Sequence, residues 1–79
     1  MEQKLRCDRN IGDNLKKLRR KYGISQEKLC VYLQCNGCDI GRTTYAKYEA
    51  GELNVKISVL LRLKDLYGCS FEDFFEGLE

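Results

Sequence analysis

The placement of glycine, together with the absence of proline, is the feature that most restricts how this 79-residue chain can fold. Gly23, Gly51 and Gly68 each follow a stretch in which apolar residues recur at helical spacing. Glycine in such a place commonly ends a helix, because it enters the left-handed backbone region without steric cost. The sequence therefore predicts an all-α fold, a compact bundle of short helices joined by turns.

Five helices follow from the apolar periodicity, at about 11–21, 25–33, 42–50, 56–67 and from 70 onward. Asn10 and Ser25 are suitable N-caps for the first two helices, and Ser70 with Asp73 has the spacing of a capping box. The apolar stripes predict these core residues: Ile11, Leu15, Leu18, Tyr22, Ile57, Leu60, Leu61, Leu63, Leu66, Tyr67, Phe71, Phe74 and Phe75.

The length of the chain predicts one domain over residues 11–79, preceded by an N-terminal arm over residues 1–10. Hydrophobic residues make up 43% and charged residues 33%, which is a globular balance. The first ten residues carry mixed charge and lack the apolar stretch of a signal peptide, so we expect a cytoplasmic location with reduced cysteines. No membrane association is expected.

Charge is distributed unevenly along the chain. Residues 1–49 hold 11 Lys and Arg against 6 Asp and Glu, a balance of +5, whereas residues 50–79 hold 3 against 6, a balance of −3. The basic part suits a polyanionic partner, although a solvated surface without any partner explains the charge equally well. Histidine is absent, and no serine or cysteine has an evident activating partner, so we do not expect an enzyme.

The predicted third helix, 42–50, has two unlike faces. Arg42, Thr43, Ala46 and Lys47 fall within a sector of roughly 140° on a helical wheel, and tyrosines occupy the opposite sector. An ordinary solvated amphipathic helix has this pattern. A slim, donor-rich face is also what fits a DNA major groove, where arginine binds guanine and a methyl group contacts thymine.

Four segments resemble the phage-repressor (Cro-type, or XRE) helix-turn-helix family. They are "IGDNLKKLRRKY", "GISQEKLCVYL", "IGRTTYAKYEAG" and "ISVLLRLKDLYGCSFEDFF", and together they extend from about Ile11 to Phe75. The resemblance implies a lambda-repressor-like domain that regulates transcription in a bacterium or phage, most often as a repressor, by binding a double-stranded DNA operator. It implies no cofactor and no small-molecule substrate. Because one small domain reads few base pairs, we also expect a homodimer on a two-fold symmetric operator.

The resemblance assigns roles to individual positions. It implies base contacts from four residues of the third helix: Arg42, Thr43, Ala46 and Lys47. It implies DNA phosphate contacts from Gln26 and Asn54, which also have ordinary explanations as a helix-start residue and a turn residue. It further implies a structural ion pair between Arg19 and Glu49.

The chain departs from the family pattern between its second and third helices. Seven residues, 34–40, lie between the end of the second helix at Leu33 and the start of the third near Gly41, where a turn of about three or four is usual. A longer form of this turn occurs among relatives, so we expect the third helix still to dock, with a tilt and depth in the groove that the sequence does not determine. Glu52 is a second departure, since an acidic side chain at that position repels phosphate.

Cys35 and Cys38 in this turn form a C-x-x-C pair. Such a pair supplies half of a zinc site, but no second pair and no histidine complete it, so we predict no metal. Redox control and simple apolar filling remain alternatives for these cysteines.

A protein-interaction module, such as an antitoxin or anti-repressor on the same scaffold, is an alternative for the whole domain. For a dimer surface the candidates are Phe75, Leu78 and the acidic tail.

Overall fold

The computed structural model describes the backbone of residues 4–77 and the side chains of residues 11–77. It contains five helices: α1 (Lys4–Tyr22), α2 (Gln26–Cys35), α3 (Arg42–Ala50), α4 (Ile57–Tyr67) and α5 (Phe71–Phe74). No strand occurs within residues 4–77, which confirms the predicted all-α fold. In the same range, no helix combines the length and apolar character needed to cross a membrane.

Local signals mark most of the helix ends correctly. Ser25 caps α2, where its hydroxyl accepts a hydrogen bond from the backbone N–H of Lys28 at 3.1 Å. Gly51 follows α3 with φ 76°, a left-handed conformation that favours glycine. Ser70 and Asp73 form the predicted capping box, in which the Asp73 carboxylate accepts from the Ser70 backbone N–H at 3.0 Å. These predictions are confirmed.

The start of α1 differs from the prediction. The helix begins at Lys4 rather than at about Ile11, so Asn10 lies inside the helix and does not cap it. Residues 4–10 were expected to form part of an arm, but no glycine or proline interrupts them, and the helix continues through them. Residues 1–3 of that arm lie outside the described residues.

Smaller differences concern α2 and α5. α2 ends at Cys35, beyond the predicted end at Leu33, so the connection to α3 is shorter than expected. α5 has only 4 residues and therefore presents a single side chain, Phe74, to the interior.

The core lies between α1, α3 and the helices that flank them. Its buried apolar residues are Leu15, Leu29, Cys30, Leu33, Cys38, Ile40, Tyr45, Tyr48, Val59, Leu60, Leu63 and Phe74. Five residues predicted for the core are instead exposed: Tyr22, Ile57, Leu61, Phe71 and Phe75. In α4 the buried face includes Val59, and Ile57 turns outward with 67% of its surface exposed.

A buried side-chain amide attaches the C-terminal segment to α1. The Nδ2 of Asn14 donates to the backbone oxygen of Phe74 at 2.8 Å and to that of Glu76 at 3.0 Å. Both bonds span more than half of the chain and satisfy carbonyls at the end of α5. The sequence analysis did not identify Asn14, because a polar residue on an otherwise charged helix gives no signal of burial.

Candidate nucleic-acid interface

α3 presents the side chains that were predicted to contact bases on its outward face. Arg42, Thr43 and Lys47 are exposed, and Ala46 is half-buried. Tyr45 and Tyr48 on the opposite face are fully or almost fully buried, with their rings 6.2 Å apart in an edge-to-face arrangement. The burial of the two tyrosines fixes the rotation of α3 about its axis, and the cationic side chains consequently face solvent.

The N-terminal end of α3 is electropositive for two reasons. Arg42 is its first residue, and no acidic residue lies in its first turn. The N-cap is Gly41, which offers no side-chain acceptor, so the first backbone N–H groups of the helix remain available to a ligand. The helix dipole and the guanidinium therefore favour an anion at the same end.

The long turn before α3 packs against the core of the domain. Cys38 and Ile40 are both buried in the core, and the backbone N–H of Cys38 donates to the Leu33 oxygen at 2.8 Å. The side chain of Gln34 reaches across from α2, where its Nε2 donates to the Ile40 oxygen at 2.8 Å. Since the turn has its own core residues and hydrogen bonds, it holds α3 against α2 despite its unusual length.

The C-x-x-C cysteines lie in different environments. Cys35 is exposed at the end of α2, whereas Cys38 is buried and its thiol donates to the Ser58 oxygen with a sulfur–oxygen distance of 3.6 Å. Burial also raises the pKa of the Cys30 thiol. Within the described residues, no group of three or more histidine, cysteine or acidic side chains is placed to hold a metal ion.

The C-terminal end of α3 carries a buried carboxylate, Glu49, which pairs with Arg19 of α1. Arg19 Nε donates to Glu49 Oε2 at 2.7 Å, and Nη2 donates to Oε1 at 3.3 Å. The remaining Nη1 donates to the Ile24 oxygen at 2.9 Å, just before α2. The structure thus brings together the two residues that the resemblance paired, in a two-contact geometry that a lysine would not reproduce.

Gln26, the first residue of α2, is bound to the same carboxylate. Its Nε2 donates to Glu49 Oε1 at 2.9 Å. A side-chain amide carries two N–H donors, so one N–H remains for another acceptor while the other holds the amide in place. Asn54, the other predicted phosphate contact, is exposed in the segment between α3 and α4, as is the acidic Glu52.

The protonation of Glu49 reflects two opposing causes. Burial raises the pKa of its carboxyl, but hydrogen bonds from Arg19 and Gln26 contribute to a larger effect in the opposite sense, and the pKa lies below its ordinary value. The hydrogen bond to Glu49 correspondingly raises the pKa of Arg19. Both groups are therefore charged at neutral pH.

Two tyrosine hydroxyls lie near this ion pair. The hydroxyls of Tyr45 and Tyr67 are buried without a hydrogen-bond partner in the described part of the chain. Burial raises the pKa of both phenols, and the negative charge of Glu49 adds to that effect. Both therefore remain neutral. Tyr67 was predicted to lie in the core and Tyr45 to lie opposite the cationic face of α3, but no sequence pattern indicates that their hydroxyls lie near an ion pair.

Comparison with known proteins agrees with this geometry. A profile described as helix-turn-helix matches residues 15–74, a range that contains α2, α3 and α4. The chain belongs to the XRE-type helix-turn-helix family.

The chain is also similar to a curated bacterial protein. It is 31% identical over 67 residues to the SPbeta prophage-derived uncharacterized HTH-type transcriptional regulator YonR of Bacillus subtilis (strain 168). The match covers 85% of this chain and 57% of YonR, so the chain spans little more than half the length of that relative. No solved structure matches the chain.

Proposed function

We propose that this XRE-type domain is a sequence-specific DNA-binding regulator of transcription that acts in the cytoplasm as a repressor. The observation that carries the proposal is the outward cationic face of α3, on a helix whose other face is locked by buried tyrosines. Two further findings support it, namely membership of the helix-turn-helix family and similarity to a protein named as a transcriptional regulator.

In the proposed complex α3 enters the major groove. Arg42 binds a guanine through its O6 and N7 atoms, Thr43 reaches a base edge or a phosphate, and Lys47 binds an acceptor further along the groove. Ala46 is slim enough to let the helix approach, and its methyl group contacts a thymine methyl. These contacts supply the preference for one sequence over another.

Phosphate contacts position the domain on the duplex. Gln26 has one amide N–H held by Glu49 at 2.9 Å, and we assign the second N–H to a phosphate oxygen. Asn54, in the segment between α3 and α4, supplies a second backbone contact. Since Glu49 belongs to α3, the Gln26 bridge links a backbone contact directly to the helix that reads the bases.

We further propose that the regulator binds as a homodimer on an operator whose half-sites lie about one helical turn apart. We take as its dimer surface an apolar strip on α4 and at α5, formed by four exposed side chains: Ile57, Leu61, Phe71 and Phe75. The Lys64 ammonium lies 5.6 Å from the centre of the Phe71 ring and joins the two helices of the strip. The acidic residues of α5, Glu72 and Asp73, together with Lys64 would supply charges of opposite sign to an isologous interface. Of the earlier candidates, Leu78 lies outside the described residues.

Sedimentation equilibrium tests the dimer. Leu61→Glu places a charge in the middle of the strip and should shift a wild-type dimer to monomer. Val31→Glu changes another exposed apolar residue, on α2, and should not. A wild-type protein that remains monomeric on its selected DNA would rule the dimer out.

Selection from a pool of random DNA duplexes tests the DNA-binding function itself. The wild-type protein should enrich a defined sequence, and its affinity should fall steeply with added salt. Arg42→Ala should weaken binding to that sequence by about 1–3 kcal/mol and relax the preference at one base pair. Arg62→Ala, which removes the same charge from α4, is the matched control. If no sequence is enriched and random duplexes do not bind, a protein-interaction module becomes the better interpretation.

A further inference from the structure

α1 and α3 approach each other closely at Gly12. A Cβ atom added at this residue would lie 2.5 Å from the backbone oxygen of Glu49 and 2.7 Å from that of Tyr48. Both oxygens belong to the last turn of α3, and both distances are too short for non-bonded carbon and oxygen atoms. The two helices therefore meet backbone to backbone at this point.

Backbone conformation does not explain the glycine. Gly12 lies inside α1 and is not among the residues with positive φ. In a helix interior alanine is the better helix former, so helix propensity alone would favour a side chain here. The benefit of glycine at this position is the room that it leaves for α3.

The last turn of α3 is attached to α1 twice, at Gly12 and through the ion pair between Arg19 and Glu49 at 2.7 Å. Arg42 and Thr43 lie at the opposite end of the helix, about 10 Å away along its axis. A displacement of the attached end therefore tilts the end that carries these two side chains.

We propose that Gly12 is a positioning residue that sets the tilt of α3 for base recognition. The inference rests on the proposed DNA-binding function, and it concerns how that function is tuned. Gly12 itself touches no DNA and acts through the separation of α1 from the last turn of α3.

Gly12→Ala requires a small movement of α3. The contact with the Glu49 oxygen must open from 2.5 Å to beyond 3.0 Å, a shift of about 0.5 Å at the least. Bidentate hydrogen bonds to bases depend on both distance and angle and tolerate little displacement. The attraction of lysine for phosphate is that of a point charge and tolerates more. Gly12→Ala should therefore weaken sequence-specific binding more than non-specific binding.

The experiment compares affinities for two duplexes, the one enriched by the wild-type protein from a random pool and a scrambled version of it. The control variant is Val59→Ala, which removes a buried side chain of α4 and weakens the fold without touching the contact between α1 and α3. Gly12→Ala should lower the ratio of the two affinities by about tenfold. Val59→Ala, assayed in the cold where it is folded by circular dichroism, should leave the ratio within about twofold of wild type.

Equal ratios for the two variants would overturn the proposal, because a purely structural role lowers both affinities together. A Gly12→Ala protein that stays unfolded in the cold with sucrose, which favours the compact state, would also overturn it, since α3 would then be unable to shift. If the wild-type protein enriches no sequence, the proposed function fails and takes this inference with it. That outcome is distinguishable because it appears before any variant is made.

Discussion

At its C-terminal end α3 is held by charged and polar contacts from two other helices. Its N-terminal end is held by the buried residues of the preceding turn, Cys38 and Ile40, and its charged side chain is exposed to solvent. Glu49 accepts hydrogen bonds from both Arg19 and Gln26. Arg42, at the other end, is exposed. The two ends of this short helix therefore have different roles. The last turn determines the position of the helix, and the first turn is free to bind a ligand.

The largest expected effect comes from removing the carboxylate at the held end. Glu49→Ala leaves the partly buried Arg19 guanidinium with a single backbone acceptor, and it should lower the free energy of unfolding by about 3–5 kcal/mol. Urea denaturation measures the change. Glu52→Ala removes the same charge from an exposed position and should change stability by less than about 0.5 kcal/mol. An unchanged midpoint for Glu49→Ala would show that the ion pair does not hold α3.

Acid should act on the same contact. The folded-state pKa of Glu49 lies below its ordinary value of 4.5, so the carboxylate stabilises the fold above that pH. This contribution is lost as the pH falls from about 4.5 through the lower folded-state pKa, because protonation then becomes favourable in the folded state too. Thermal melts over this range should show a steeper loss for wild type than for Glu49→Gln. Parallel curves for the two proteins would contradict the assignment.

The turn at the other end of α3 should respond to a change at Cys38. Cys38→Ala leaves a small void among core residues and should destabilise by about 1–2 kcal/mol. Cys35→Ala alters an exposed side chain and should be nearly neutral.

The Cys35→Ala variant also tests redox control. If reductant changes DNA affinity in wild type but not in Cys35→Ala, then these cysteines regulate binding rather than simply fill space.

The smallest effect is expected from the side-chain amide of Gln26, which we propose links the C-terminal end of α3 to DNA. Gln26→Ala removes one hydrogen bond to Glu49 and should lower stability by about 0.5–1.5 kcal/mol. It should weaken binding to enriched and scrambled duplexes by similar factors, because phosphate contacts carry no sequence information. Loss of binding to the enriched duplex alone would show that Gln26 reads a base or orients one of the base-reading residues.

Sequence patterns were most informative where a local cause decides the outcome. The bounds of α3 follow from its apolar period and from Gly51, and the structure has them as predicted. Ser25 and Ser70 likewise mark helix starts through bonds to residues three positions away. In each case the deciding interaction lies within one helical turn, so the sequence contains it.

The failures arise where the deciding contact comes from elsewhere in the chain. Ile57 continues an apolar period but faces solvent, because no described element covers that side of α4. Gly12 gives no sign in the sequence that α3 passes against it, and Gln26 gives none that its amide meets Glu49. Periodicity identifies a face of a helix, but only the assembled bundle determines which atoms meet it.

The connection between α2 and α3 contributes Cys38 and Ile40 to the same interior as the helices. This connection is therefore part of the core and does more than link two helices, because its side chains fill volume that a neighbouring helix would otherwise fill. Added length in this segment need not loosen the pair of helices that it joins. A shorter connection without these two residues would lose core volume as well as length.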